Sequence, residues 1–296
     1  MYLGRKKIQS IPWKPSPNPA KILPTADLVE EEHTSHYKPQ HFYPIGWGTS
    51  STVWLARDLH HSICFPPRYV AIKVKANNYA SQESTEKELR ITEHISKANP
   101  QHLGRNFVAT LVDSFRVTSR GSTHICMVFD ALCEPLWMMK HHYEGNTIPL
   151  NVLKPVSKLV LEGLRYLHTE CHVIHTDLKS DNILLALRNS STLEMVALDE
   201  MNNPSPRKQV GCHPIQPEGY RAPEVCLGGE WSYSVDIWNL RVMLWDLFYG
   251  RGPFDTPPDS RGSGSADEAH LGQIISLLGP PQPDLLGRGN RNISVF

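Results

Sequence analysis

The hydrophobic pattern of this chain shifts near its middle, from mostly strand-like before Leu150 to helical after it. Tyr69-Val70-Ala71-Ile72-Lys73-Val74 is β-branched and alternating, as a half-buried strand requires. Past Leu150 the apolar residues Val156, Leu159, Val160, Leu164 and Leu167 recur every three to four positions, the signature of an amphipathic helix. Ser232 to Phe248 is apolar nearly all round and predicts the central helix of a helical lobe. Strands first and helices second imply an α+β chain of two lobes. Its 296 residues suffice for one large domain, or two lobes packed as one unit.

The lobes have readable limits. Residues 1–44 form a Pro-rich arm, since Pro12, Pro15, Pro17, Pro19, Pro24, Pro39 and Pro44 forbid long regular elements. Residues 45–129 hold a turn and strand at Gly46 to Ala56, the Tyr69 strand, a helix over Ser84 to Lys97, and strands at Phe107 to Phe115 and Thr123 to Phe129. Residues 130–137 are the joint. Residues 138–296 hold the helical lobe, with a further helix over Ala266 to Leu278 and a Pro/Gly-rich tail from Gly279.

Thirty basic and thirty acidic residues cancel, which argues against a protein that coats nucleic acid by bulk charge. The six cysteines form no C-x-x-C pair, so a zinc knuckle is not expected and buried thiols are. The N-terminus has no signal-peptide apolar core, and no apolar run approaches the ~18 residues of a membrane helix. The expected compartment is the cytoplasm or nucleus.

Five signals follow one another in order. Gly46-Trp47-Gly48-Thr49-Ser50-Ser51-Thr52-Val53 is either an ordinary hairpin turn or a loop whose N–H groups cover phosphates. Lys73 sits inside an apolar strand, where its ammonium needs a counter-charge or a path to solvent. Glu88, in the next helix, is a candidate counter-charge; otherwise it is surface charge. His175-Thr176-Asp177-Leu178-Lys179-Ser180-Asp181-Asn182 supplies a carboxylate to accept a hydroxyl proton, a cation to neutralise a phosphoryl group, and an amide to hold a metal ion. Arg221-Ala222-Pro223-Glu224 comes last, followed by Asp236 on the apolar helix.

This ordered set resembles the protein-kinase signature. The string Gly46-Trp47-Gly48 with Ser51 to Asp58, and threonine at position 176 between His175 and Asp177, resemble SR-protein-kinase-like Ser/Thr kinases, especially fungal members. The resemblance implies a bilobal protein-kinase-like fold, ATP and Mg²⁺ as cofactors, and a protein substrate, often Arg/Ser-rich. It gives Asp177 and Lys179 catalytic roles and Asn182 a metal-binding role. It lines the nucleotide site with Gly46, Gly48, Ser51, Val53, Ala71, Lys73, Glu88, the gatekeeper Phe129, and Asp130, Ala131 and Leu132 of the joint. Direct nucleic-acid or membrane binding is not implied.

The chain also departs from that pattern. Only Ile45 stands between Pro44 and Gly46, so the first strand is expected to be missing. No Asp-Phe-Gly follows Asn182; Asp199 is the nearby acidic candidate. Between Val210 and Gly211 the activation segment reads as excised. The last helices also read as missing, which leaves Glu224 without its usual arginine. Arg241 stands where the family has a small residue and must find room or solvent. Two functions are weighed: an ATP-dependent kinase transferring phosphate to protein serine, or a catalytically impaired pseudokinase, scaffold or shortened derivative.

Overall fold

The computed structural model describes residues 43–47, 51–58, 68–75, 82–119, 122–186, 193, 218–254, 266–287 and 289. Five antiparallel strands form one sheet: β1 (Tyr43–Trp47), β2 (Ser51–Asp58), β3 (Arg68–Lys75), β4 (Leu111–Ser119) and β5 (Ser122–Asp130), in spatial order β1-β2-β3-β5-β4. Residues opposite each other across such ladders share a face, and alternate residues change face. Ala56, Val70, Ile72, Cys126 and Val128 therefore make one apolar layer on one side. Met127 and Ile125 pack with Leu89 on helix α1 (Gln82–Lys97).

The incoming strand expected to be absent is present. It starts at Tyr43, inside the segment read as arm, and continues through Gly46 and Trp47, read as turn. Proline lacks the N–H that a central strand donates, but β1 lies at the sheet edge, and its ladder with β2 is irregular between Pro44 and Gly46. The strand expected from Phe107 also starts later. Leu103–Phe107 forms a 3₁₀ turn, and β4 begins at Leu111. Gly104 lets that turn touch the helical lobe: a Cβ there would sit 2.1 Å from the Glu162 carbonyl oxygen.

The helical lobe contains α2 (Leu136–Met139), α3 (Leu150–Arg165), α4 (Pro223–Cys226), α5 (Ser234–Tyr249), α6 (Ala266–Leu278) and α7 (Pro283–Gly287). A five-residue π turn, Tyr166–Glu170, extends α3. Leu153, Val160, Leu164, Tyr166 and Leu167 pack on Leu240, Met243 and Leu247, so the periodicity of α3 and the apolar character of α5 meet in one core. Full burial of each such side chain contributes about 1.5–3 kcal/mol. Cys226, Leu227, Val242, Phe254, Leu271 and Ile274 form a second core beneath α6. Arg241 is exposed on α5, which resolves its steric problem. Among the described residues Cys126, Cys171 and Cys226 are buried free thiols and Cys133 is half-buried, and no helix is long and apolar enough to cross a membrane.

The tail from Gly279 contains α7, a short helix not foreseen in that Pro/Gly-rich stretch. Glu224 does have a partner, though not an arginine: its Oε1 accepts the Ser234 hydroxyl at 3.0 Å. Gly48, Asp199, the stretch around Val210 and Gly211, and Arg288 and Arg291 lie outside the described residues.

Candidate functional site

Register builds the upper half of the site. Gly46 stands opposite Val53, Val53 opposite Lys73, and Lys73 opposite Met127, so four strands place these residues in one row on one face. Ala71 stands opposite Leu55 and Phe129, and Ser51 opposite Lys75, on that same face. Phe129 packs against the Leu89–Ile125–Met127 cluster, between the sheet and α1. Asp130 is still part of β5. Its carboxylate belongs to the opposite face, where it accepts from Arg68 at 2.8 Å. Ala131 and Leu132 begin the extended link towards α2, and Leu132 is half-buried.

Lys73 Nζ donates to Glu88 Oε1 at 2.7 Å, so the strand lysine and its candidate counter-charge in the next helix are paired. Lys75 Nζ contacts Glu88 Oε2, also at 2.7 Å. Burial raises the Glu88 pKa, but Lys73 and then Lys75 outweigh burial and hold it below the ordinary glutamate value.

The lower half is the loop from His175 to Asn182. Asn182 Nδ2 donates to the Asp177 carbonyl at 2.6 Å and to Asp177 Oδ2 at 2.8 Å. Lys179 Nζ lies 3.2 Å from Asp177 Oδ1. Asp177 remains 44% exposed, so an incoming hydroxyl can reach its carboxylate. The three residues singled out in this loop are thus brought together at one carboxylate.

What holds the loop is Asp236, whose role the sequence did not reveal. It is fully buried on α5. Its Oδ2 accepts from His168 Nε2 at 2.7 Å and the His175 N–H at 2.8 Å, and its Oδ1 accepts the Thr176 N–H at 2.8 Å. Thr176 has φ of 67°, a conformation costly for a β-branched residue. Two amides aimed at one buried carboxylate oppose that cost. His175 Nδ1 accepts the Asp177 N–H at 3.3 Å. Burial pushes the His175 pKa below the ordinary histidine value, against the opposing fields of Asp236 and Asp177, so the ring stays neutral. The only advance signal for Asp236 was an acidic residue within an otherwise apolar helix.

After Asn182 the chain runs beside the joint. Leu136 N–H donates to Ile183 O, Leu185 N–H to Glu134 O, and Cys133 N–H to Leu185 O, at 2.7, 3.1 and 2.8 Å. At the far end of α1, Tyr166 Oη donates to Ile95 O at 2.5 Å, and the His94 ring bonds Cys171 O at 2.8 Å.

Lys73 fits an anionic ligand such as a nucleotide phosphate, since about one-third of its side chain is exposed beside the half-buried Val53, Ala71 and Phe129. A magnesium site fits less well. Among the described residues no group of three His, Cys, Asp or Glu is placed to hold a metal ion. The carboxylate next to Asn182 is already engaged by Lys179 and by Asn182 itself. A hard cation usually takes one or two free carboxylates as well as phosphate oxygens.

Residues 40–282 match the family model of the protein kinase domain. A serine/threonine protein kinase of Aspergillus fumigatus is 30% identical over 329 residues, spanning 93% of this chain and 77% of that protein. The serine/threonine-protein kinase SRPK of Physarum polycephalum is 30% identical over 336 residues, 90% of this chain and 76% of its own. Both alignments are longer than the chain, so these relatives carry internal residues with no counterpart here. Human SRSF protein kinase 3 is 34% identical over 155 residues, 52% of this chain and 26% of that protein.

Proposed function

Because the chain belongs to the protein kinase family and is related to SR-protein kinases, we propose that it is a kinase-derived module that binds nucleotide and a protein ligand, with phosphoryl transfer impaired. One observation carries this reading. The loop groups Asp177, Lys179 and Asn182 are assembled, yet the sequence after Asn182 has no Asp-Phe-Gly to supply a further metal carboxylate. Without it a phosphate-bridging Mg²⁺ is poorly held, and the rate falls by orders of magnitude. Lys73 is the contact for phosphate, and Val53, Ala71 and Phe129 are the apolar surface for a base. The protein ligand we favour is an Arg/Ser-rich segment, the substrate class that the resemblance to SR-protein-kinase-like enzymes implies.

A second reading, an active Ser/Thr kinase, draws on the same geometry. In it Asp177 orients the serine hydroxyl and accepts its proton, and Lys179 offsets charge on the transferred group. One assay separates the two. Transfer from ATP with Mg²⁺ to an Arg/Ser-rich peptide is measured for the natural chain and for Asp177→Ala, with nucleotide affinity in parallel. Impairment predicts that nucleotide binds while the two transfer rates agree within about tenfold. A natural chain about a thousandfold faster than Asp177→Ala makes it a working kinase.

A further inference from the structure

Glu88 faces two lysines rather than one. Lys73 and Lys75 are two residues apart on β3 and so lie on one face of the strand, towards α1. Each ammonium is 2.7 Å from a different oxygen of the Glu88 carboxylate. The two cations differ in surroundings. Lys73 is about one-third exposed, whereas only 9% of the Lys75 side chain is exposed. The Lys75 carbonyl is fixed as well, by the His124 ring at 3.0 Å.

An ammonium as buried as Lys75 is costly without a counter-charge, and Glu88 supplies one. Lys73 is less constrained, since about one-third of its side chain is exposed. With Oε2 held by Lys75, Glu88 stays directed at the sheet even when Lys73 turns to another anion. We propose that Lys75 is a positioning residue: it anchors Glu88 and the start of α1 inward, which frees the Lys73 ammonium for a phosphate group.

The role at Lys73 rests on the nucleotide-binding reading, whereas the anchoring of α1 does not. Two readouts keep them apart. In the full chain without nucleotide, amide hydrogen exchange along α1 is compared for Lys73→Met, Lys75→Met and Lys75→Arg. Lys75→Met is expected to speed exchange in the first half of α1 by about tenfold, Lys73→Met by much less, and Lys75→Arg to restore protection. Then ATP affinity is measured without and with Mg²⁺. Lys75→Met is expected to weaken it by about tenfold and Lys75→Arg to recover most of it.

If Lys75→Met does not fold, Lys75→Gln, which keeps a donor without the charge, takes its place. Unchanged α1 exchange in the uncharged variant, or failure of arginine to restore protection, overturns the anchoring role. If exchange responds as expected but the natural chain binds no ATP, the anchor stands and the nucleotide reading falls. If ATP binds and its affinity ignores Lys75, the claim that Lys75 frees Lys73 is wrong.

Discussion

Two carboxylates organise the site from opposite lobes, and they do so by different means. Glu88 is one-third exposed and is held by full charges, the ammonium groups of Lys73 and Lys75. Asp236 has no exposed surface and is held mainly by dipoles, two backbone N–H groups and the His168 ring. A charge pair tolerates small rearrangements because its attraction falls slowly with distance. Backbone N–H donors do not, since their strength depends on direction. Glu88 therefore suits the place where a helix meets a sheet. Asp236 suits a loop that must keep one shape.

The largest break in that comparison is Asp236→Ala. It leaves buried donors at His175, Thr176 and His168 without their acceptor and gives Thr176 no compensation for its backbone. The expected loss is about 3–5 kcal/mol, read as a shift of the urea midpoint. A shift no larger than that of an exposed Asp→Ala change would mean that the loop keeps its shape by other means.

Thr176→Gly sharpens the same point with a smaller effect of opposite sign. Glycine accepts a φ of 67° without a Cβ conflict, so the variant should be more stable by about 1 kcal/mol after its greater unfolded-state entropy is counted. Destabilisation instead would show that the threonine side chain makes contacts worth more than the strain.

Acidification separates the two carboxylates most gently. The folded state holds His175 neutral where the unfolded chain takes a proton near the ordinary value of 6.5. Below that pH the unfolded state binds more protons, so stability falls as pH falls. The Glu88 contribution is complete above the ordinary glutamate value of 4.5 and is lost only as pH drops through its lower native value. Between these limits the loop beside Asp236 should weaken while the Lys73–Glu88–Lys75 cluster holds. The melting temperature of the natural chain should then fall from pH 6.5 to 4.5 more steeply than that of His175→Asn. Equal slopes would mean that His175 carries no part of the dependence.

Much of the design was legible in advance. The period change at Leu150 placed the two lobes, because burying one face of a strand and one stripe of a helix leaves different spacings. Lys73 stood out as a cation in an apolar strand with Glu88 as its candidate counter-charge, and Asp177, Lys179 and Asn182 as the carboxylate, cation and amide that phosphoryl transfer needs together. What escaped were features that depend on long-range pairing. β1 was missed because proline and glycine weaken the strand signal, while an edge position forgives them. Lys75 lay just past the strand as read, which ended at Val74, and only packing against α1 reveals that it is buried. Asp236 gave little warning, for its partners are mostly backbone groups about sixty residues earlier in the chain. Glu224 was judged against an arginine and found a neighbouring hydroxyl instead.

The three main-chain hydrogen bonds between Cys133–Leu136 and Ile183–Leu185 have a mechanical meaning. They make the joint and the segment leaving Asn182 into one short ribbon, so the far side of the joint travels with the loop from His175 to Asn182. Rocking of the sheet would then turn about the bonds between Asp130 and Cys133 and work against the ties at the far end of α1, where Tyr166 meets Ile95 and His94 meets Cys171. Such a pivot fixes the distance from the joint to Asp177 like the arm of a compass. Lobe opening would change the angle at which a ligand held along that arm meets the sheet, but not the span between its two ends.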